Sequence, residues 1–461
     1  MSIQQTADRL RARKVSSVEL TRASLDRIAK LDGKLNAFIT VMEESALARA
    51  RQADAELAHG QDRGPLHGIP VAVKDVFCTR GVRTTCGSKI YLDHVPDHNA
   101  AAVEKLEAAG AVLVGKTNLH ELAYGITSSN PHFGAVRNPW DPERIAGGSS
   151  GGSGAAVAAG MVFMALGTDS GGSIRIPASY CGTVGLKPTF GRVSRYGVMP
   201  LDFSLDHVGP LTRTVRDAAL TLQVLAGADP RDDTASPHPV ENYLPPKKIS
   251  LKGVRVGWPE NFYFDHVDRE VALSVKLMAD LAEERGAQVV PLRVPDMTAV
   301  NTIARVIQLA EASALMEPFL KQRDNFGPDV LALLDQGRLL SATDYVNAQR
   351  LRRVEQRKFQ QLWKKVDCLF TPTTPIPAPK VGQSTVQTGD RAEDVRLAST
   401  RLVRGMNVLG LPALSIFCAF NHEGLPFGLQ IVGKPFSEAA ILRVGAALED
   451  GTASPEMESD L

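Results

Sequence analysis

Two clusters of glycine and serine within one short stretch constrain this chain most. The stretch 145–177 reads IAGGSSGGSGAAVAAGMVFMALGTDSGGSIRIP, with GGSSGGS at 147–153 and SGGS at 170–173. Glycine costs the most backbone entropy to order, so two dense clusters indicate a backbone that must closely approach another group. A flexible linker is the alternative. Linkers, however, do not enclose a run such as AAVAAGMVFMAL, which predicts a buried helix leading into a strand.

The composition is typical of a soluble globular protein. Of 461 residues, 44% are hydrophobic, and 52 basic residues against 51 acidic ones leave a net charge of +1. This balance gives no sign of a nucleic-acid or anionic-membrane surface. The five cysteines are odd in number and lack zinc-site spacing. The N-terminus is polar and has no signal-peptide core. We therefore expect a cytoplasmic protein with reduced thiols and no membrane span.

Helices and strands alternate along most of the chain, which predicts an α/β fold: a single large domain with a mixed central sheet covered by helices on both faces. We expect N-terminal helices in 1–60, the core in 61–228, a helical insertion lining the substrate entrance in 229–365, and the rest of the core in 366–450. The tail beyond is expected to be disordered. Predicted helices are 16–31, 42–59, 99–109, one at the end of 184–227 that Thr214 would cap, 267–285, 300–323, 342–365 and 437–449, and predicted strands include 111–115, 252–258, 287–292, 413–420 and 426–433.

One motif match is rejected because of its context. Residues 110–117, GAVLVGKT, satisfy the phosphate-loop pattern letter for letter. A phosphate loop follows a strand and exposes its backbone N–H groups. Here a predicted helix comes first, and the variable positions AVLV are themselves the predicted strand. We do not expect nucleotide binding at this segment.

The glycine clusters are also compatible with other chemistries. Residues 147–151 satisfy the G-x-S-x-G pattern of a nucleophile elbow, but a loop leads into it and no downstream histidine has a distinguishing context. A phosphate cradle is possible, although only Arg175 supplies a nearby cation. His94 and His98 are separated by Pro96, which prevents a helical metal site, and we expect no metal.

The residues favour a serine nucleophile assisted by a lysine. Lys74 ends an apolar strand predicted within 64–76, GPLHGIPVAVKDVF. Burial would lower its pKa from ~10.4 to about 7–8, at a cost of roughly 4 kcal/mol, and make the amine a base. The N–H groups of 170–173 could then hold an oxyanion. A lysine at a strand end is more often a surface residue, so the hypothesis depends on the burial of Lys74.

At these segments the chain resembles the amidase signature family. The resemblance spans most of the chain: GIPVAVKD at 68–75, IAGGSSGGSGAAVAAG at 145–160, LGTDSGGSIRIPASYCGTVGLKPTFGRVSRYG at 166–197, SLDHVGPLTRTVRDAA at 204–219, NVLGLPALS at 407–415 and GLPFGLQIVG at 424–433. It implies a Ser-cisSer-Lys triad. In that triad Ser173 is the nucleophile, Ser149 is a bridging serine that follows a cis peptide bond, and Lys74 is the general base.

The resemblance also implies the surroundings of the triad, with no metal or organic cofactor. Four backbone N–H groups would form the oxyanion hole, those of Ser170, Gly171, Gly172 and Ser173. Asp169 and Arg175 would support the site from behind. Three residues would line the acyl pocket, namely Tyr124, Ile126 and Thr127.

Within this family the chain resembles both stand-alone amidases and the glutaminase component of tRNA-dependent glutamyl/aspartyl amidotransferases. The resemblance implies that such a component binds glutamine through an arginine and an aspartate. Arg352, in NAQRLRR, matches the arginine, but Thr400 stands where the aspartate is expected. We therefore expect an amidase for a small-molecule amide, with no nucleic acid or membrane partner and with a homodimer possible. The glutaminase component, with tRNA and partner subunits, is the alternative.

Overall fold

A mixed sheet of eleven strands runs through the molecule. The computed structural model of the protein describes residues 1–450. In chain order its strands are β1 Phe38–Val41, β2 Pro70–Lys74, β3 Val112–Thr117, β4 Ser129–Asn130, β5 Gly134–Ala135, β6 Met164–Asp169, β7 Val184–Lys187, β8 His207–Thr212, β9 Arg255–Pro259, β10 Gln288–Leu292, β11 Cys368–Pro372, β12 Thr385–Thr388, β13 Arg391–Asp394, β14 Ala413–Phe420 and β15 Pro426–Gly433. The strand order in the large sheet is β1-β3-β2-β6-β8-β7-β14-β15-β11-β9-β10. The remaining strands form two small hairpins.

Helices flank this sheet. In chain order the α-helices are α1 Ile3–Arg11, α2 Ser17–Leu35, α3 Glu43–Ala58, α4 Ala101–Ala108, α5 Gly151–Ala158, α6 Arg175–Cys181, α7 Val215–Leu225, α8 Arg269–Glu284, α9 Met297–Met316, α10 Pro328–Arg338, α11 Ala342–Leu362, α12 Val395–Arg401, α13 Arg404–Leu409 and α14 Glu438–Glu449. The predicted α/β class with a mixed central sheet is therefore confirmed.

Segments with strong apolar periodicity form the predicted elements. The strands predicted at 413–420 and 426–433 are β14 and β15. The run AAVAAGMVFMAL forms the end of α5 and the start of β6, as expected from its small apolar residues. Helices α1, α6, α10, α12 and α13 were not predicted. The last two span only seven and six residues, too few for a helical period to be visible.

The sheet brings two distant parts of the predicted core segment to one edge, namely the end of β2 and the start of the second glycine cluster. β2 is parallel to β6, with Val71 opposite Met164 and Val73 opposite Leu166. Because parallel strands end at the same edge of a sheet, Lys74 and the first residues after β6 lie at one edge. The second glycine cluster begins at this edge, directly after Asp169.

The rejected phosphate-loop segment is a buried strand. Residues 112–117 are β3, which pairs with β2 in parallel. The Lys116 Nζ donates to Phe77 O at 2.8 Å and to Thr84 Oγ1 at 2.7 Å, and it lies 3.2 Å from a carboxylate oxygen of Asp75. Since this ammonium is fully buried and bound to protein groups, it is not placed to meet a phosphate.

Several broader expectations have mixed outcomes. The stretch 229–365, expected to be a helical insertion, also supplies β9 and β10 to one edge of the sheet. The division into four stretches stays a prediction.

No helix within the described part of the chain is both long and apolar enough to cross a membrane. The five cysteines are buried with free thiols. The expectation of a disordered tail concerns positions outside the described residues.

Candidate active site

Lys74 is fully buried at the carboxyl end of β2. Its Nζ donates hydrogen bonds to Ser149 Oγ at 2.7 Å and to Thr168 Oγ1 at 2.8 Å. Burial lowers the pKa of Lys74 to about 7, although the negative charges of Asp206 and Asp169 act in the opposite direction. About half of the amine is therefore neutral at pH 7, and the neutral form is the one in which a lysine can accept a proton.

Ser149 lies in the first glycine cluster, two residues before α5. The peptide bond between Gly148 and Ser149 is cis, as the resemblance implies. A side chain at Gly148 would place its Cβ 2.7 Å from Ser128 Oγ and 2.9 Å from the carbonyl carbon of Ile126. Only glycine fits such close packing, so the first cluster holds Ser149 against Lys74 by steric complementarity.

Ser173 lies in the second glycine cluster, between β6 and α6. The Ser150 N–H donates to Ser173 O at 3.2 Å, which joins the two clusters through their backbones. The Ser173 side chain is 6% exposed and lines a pocket. Its hydroxyl makes no hydrogen bond to another residue within 1–450, so the implied bond between Ser149 and Ser173 is not present in this structure.

Asp169 and Arg175 form a fully buried ion pair behind the second cluster, with 2.9 Å between Arg175 Nη2 and Asp169 Oδ1. Arg175 Nη1 also donates to Val403 O and Gln430 Oε1, and Nη2 to Asn407 Oδ1. Burial opposes ionisation of Asp169, but the charge and hydrogen bonds of Arg175 outweigh it and lower the pKa of Asp169. The pair ties the glycine loop to the C-terminal part of the core.

One of the four N–H groups expected in the oxyanion hole is already occupied. The Gly172 N–H donates to Asp169 Oδ1 at 2.7 Å, so we correct the expected set by removing Gly172. Gly172 has φ +123°, and a Cβ there would meet Val403 Cγ2 at 2.4 Å. Glycine is needed at this position for its conformation and space. Three residues of the expected set remain as candidate donors, namely Ser170, Gly171 and Ser173.

A pocket of about 520 Å³, part of it open at the mouth, adjoins Ser173. Tyr124 and Ile126, two of the residues expected in the acyl pocket, are among those that line it. Thr127 is not among its lining residues. The Thr127 hydroxyl instead accepts the Ser129 N–H at 3.2 Å, beside the ring of His120.

The expected role of Arg352 in substrate binding is wrong for this structure. Arg352 lies on α11, outside the pocket lining. Its Nε donates to Val408 O at 2.6 Å and its Nη2 to Ser204 O at 3.0 Å, so the guanidinium joins two backbone segments. Sequence matching places a residue along the chain but does not determine which neighbour its side chain binds. Thr400, at the expected aspartate position, does line the pocket.

Three arginines in the pocket wall were not predicted from the sequence. Arg305 comes from α9, Arg396 from α12 and Arg404 from the start of α13. Thr168, the second partner of Lys74, was also missed, although it precedes the recognised segment DSGGS directly. Arginine is common on helix surfaces, so nothing in the sequence distinguished these three from solvated residues.

A metal centre finds no support among residues 1–450. No group of three histidine, cysteine, aspartate or glutamate side chains is placed to hold an ion in this part of the chain. Of the two histidines considered from sequence, His98 lies beside Asp97, with 2.9 Å between Nδ1 and Oδ1.

Known proteins resemble this chain over nearly its full length. The family model described as Amidase matches residues 19–442. The A-type subunit of the glutamyl-tRNA(Gln) amidotransferase of Carboxydothermus hydrogenoformans is 39% identical over 478 residues, which cover 98% of this chain and 97% of that protein.

Solved structures agree with this likeness. One, described as an unexpected vestigial protein complex that reveals the evolutionary origins of an s-triazine catabolic enzyme, superposes with a TM-score of 0.95 at 36% identity and covers 99% of this chain and 100% of that one. The native peptide amidase of Stenotrophomonas maltophilia superposes with a TM-score of 0.87 at 31% identity, covering 100% and 99%. The motifs, the family model and these relatives agree, and the chain belongs to the amidase signature family.

Proposed function

We propose that this protein cleaves a carboxylic amide through Ser173, Ser149 and Lys74. The observation that carries the proposal is the contact of 2.7 Å between the buried Lys74 Nζ and Ser149 Oγ. A lysine with a pKa of about 7 is a competent base at neutral pH. Ser173 supplies the hydroxyl that faces the pocket, next to backbone donors.

The proposed reaction begins with proton transfer. Neutral Lys74 takes a proton from Ser149, and Ser149 takes one from Ser173 as the Ser173 Oγ bonds to the amide carbonyl carbon. The carbonyl oxygen becomes an oxyanion near the candidate N–H donors of Ser170, Gly171 and Ser173. The Ser173 hydroxyl has no other partner among the described residues, so it can rotate toward Ser149, and such contacts often tighten only when substrate binds.

The intermediate then breaks down in two steps. The carbon–nitrogen bond breaks, and the leaving nitrogen receives a proton from Ser149, which recovers one from Lys74. This leaves an ester between the acyl group and Ser173. Water attacks the ester, gives its proton to the same relay, and releases the carboxylic acid and the free Ser173 hydroxyl.

The biological setting has two candidates. The name of the Carboxydothermus relative supports the alternative, a glutaminase component that works with tRNA and partner subunits, better than the stand-alone amidase. The pocket supports the stand-alone amidase, because Arg352 lies outside it and Thr400 stands where an aspartate would be needed. Both settings require the same cleavage of an amide at Ser173.

Ammonia release from a panel of primary amides, glutamine included, tests the proposal. We expect hydrolysis by the purified chain and none by Ser173→Ala. Ser153→Ala is the matched control, since among the described residues the Ser153 Oγ bonds Thr117 Oγ1 and Leu166 O, inside the core. Full activity in Ser173→Ala would overturn the proposal. Glutamine hydrolysis that requires partner subunits, charged tRNA and ATP would select the glutaminase setting.

A further inference from the structure

The pocket beside Ser173 contains a buried cation that has no counter-ion in the described part of the chain. Arg404 is only 9% exposed and lines this pocket. Its Nε is buried without a hydrogen-bond partner, and the guanidinium forms no ion pair within residues 1–450. Proteins rarely bury a charge without pairing it, because the desolvation is not recovered. The missing partner is therefore expected to arrive with the ligand.

We propose that the pocket binds an amide whose acyl group also carries a carboxylate, and that Arg404 is the counter-ion of this carboxylate. The inference rests on the proposed function, whose substrate it specifies. Arg404 is close to the reacting atoms. A Cβ built on Gly171, two residues before Ser173, would lie 3.6 Å from Arg404 Nε and 3.8 Å from Arg404 Cγ.

Two further arginines strengthen the positive potential. Arg305 and Arg396 line the same pocket. Burial and the charges of these two arginines lower the pKa of Arg404 to about 10, which leaves Arg404 cationic at neutral pH. Arg396 has no ion pair in the described part of the chain. Arg305 makes one long hydrogen bond, 3.4 Å from Gln336 Oε1. Three like charges around one cavity favour an anionic ligand.

One acid, Asp202, acts on the charge of Arg404. Asp202 accepts a hydrogen bond from Gln308, a pocket residue, at 2.9 Å. Burial, together with the neighbouring charge of Asp206, raises the pKa of Asp202 well above its ordinary value. Burial therefore disfavours the charged form of Asp202, and Asp202 does not line the pocket, whose wall carries the three arginines that a ligand carboxylate would meet.

The other residues that line the pocket indicate which further groups a ligand should carry. The Tyr124 hydroxyl is buried and has no partner among residues 1–450, so it is a second group whose hydrogen bond is left for a ligand. Leu201, Leu309 and Leu333 supply apolar surface. Thr400 offers no negative charge to an ammonium group. The substrate class that fits is a short dicarboxylic acid with one end amidated, and it lacks the α-ammonium of glutamine.

The test compares matched substrates. Succinamate and glutaramate carry a carboxylate, succinamide and glutaramide replace it with a neutral amide, and glutamine adds an ammonium to glutaramate. We expect kcat/KM about 30-fold or more higher for the carboxylates than for the neutral amides, and higher for glutaramate than for glutamine. Equal values for carboxylate and neutral amides would overturn the inference while leaving amide hydrolysis established.

Substitution of Arg404 is a second test of the carboxylate site. Arg404→Gln is expected to raise KM for succinamate about 30-fold or more and to change hydrolysis of succinamide only a few-fold, and Arg404→Lys is expected to lose less. Arg401→Gln is the matched control, since its guanidinium binds Asp265 O and His266 O outside this pocket. An equal loss for both substrates in Arg404→Gln would contradict the inference.

Binding without turnover separates the inference from the proposed chemistry. Calorimetry with the Ser173→Ala variant should show that glutaramate binds more tightly than glutaramide. Adding Arg404→Gln to that variant should remove the difference in affinity. If this holds while no amide is hydrolysed by the unaltered protein, the proposed function fails and the carboxylate site stands. If glutaramide binds as tightly as glutaramate, the carboxylate site is refuted.

Discussion

Lys74 Nζ and Ser149 Oγ lie 2.7 Å apart in a region closed to solvent, although the two residues are 75 positions apart in sequence. The parallel pairing of β2 with β6 and the tight packing of Gly148 hold them together. A neutral amine at such a distance can draw a proton from the hydroxyl. Changes to this contact, or to the buried groups around it, should therefore alter turnover and stability in defined ways.

The two residues should act as one unit. Lys74→Met and Ser149→Ala are each expected to lower kcat by at least about 10³-fold, and the double variant should be little worse than either single one. The reason is that each change breaks the same proton relay. Steady-state kinetics measure this. Losses that multiply in the double variant would show two independent roles instead.

Activity should follow the deprotonation of Lys74. Burial lowers the pKa of Lys74 to about 7, and only the neutral amine accepts a proton. Below this value kcat/KM is expected to fall about tenfold per pH unit, and above it to reach a plateau. A pH profile for an uncharged substrate measures the midpoint. A profile that stays flat from pH 5 to 8 would contradict the role of Lys74 as base.

Lys74 should also make the stability of the protein depend on pH. Its pKa is about 7 in the folded protein and near its ordinary value of 10.5 in the unfolded chain. Between these values the unfolded chain binds the proton and the folded protein does not, so the free energy of unfolding rises with pH.

In Lys74→Met the free energy of unfolding lacks this rise with pH. At pH 7 the variant is free of the roughly 4 kcal/mol by which the lowered pKa of the buried lysine destabilises the folded protein. We therefore expect denaturant titrations to show the variant gaining most, relative to the unaltered protein, at and below about pH 7 and little near pH 10.5. A stability difference that does not change with pH would show that Lys74 remains charged in the folded protein.

Asp169→Asn should destabilise the fold strongly. It leaves the Arg175 charge buried without its ion pair, and breaking such a pair typically costs about 3–5 kcal/mol. Glu104→Gln is the control, because its pair with Arg231 is about two-fifths exposed at both side chains, and such pairs contribute about 0–1 kcal/mol. Denaturant titrations measure both. Similar losses of stability in the two variants would show that the buried ion pair contributes no more than the exposed one.

Gly172→Ala should impair both stability and turnover. Its φ of +123° is unfavourable for alanine, and the new Cβ would meet Val403 Cγ2 at 2.4 Å. Gly33→Ala in α2 is the control, since open space surrounds that position and alanine favours a helix by up to about 1 kcal/mol. Thermal unfolding and kcat measure the effects. An unchanged kcat in Gly172→Ala would show that the loop tolerates displacement.

The part of the site made by local sequence was predictable. The glycine-serine clusters and the apolar strand before Lys74 carry their structural meaning in a few adjacent residues, so their positions followed from pattern and resemblance. The burial of Lys74, on which the hypothesis depended, is observed in the structure. Strands β14 and β15 were predicted at their observed bounds for the same reason.

The part made by long-range packing was not predictable. Arg404 and Arg352 are both arginines on helices, yet only Arg404 enters the pocket, while Arg352 binds the carbonyl oxygens of Val408 and Ser204. The difference depends on how α11 and α13 pack against the core. The engagement of the Gly172 N–H by Asp169 likewise depends on the turn of one loop, which residue types do not specify.

Covalent labelling tests the central claim most directly. A fluorophosphonate reacts with an activated serine, and peptide mapping by mass spectrometry identifies the serine that carries the adduct. We predict one adduct, on Ser173, that is absent in Ser173→Ala and forms at least about 10³-fold more slowly in Lys74→Met. An adduct on another serine, or labelling of Ser173 at an unchanged rate in Lys74→Met, would contradict the account.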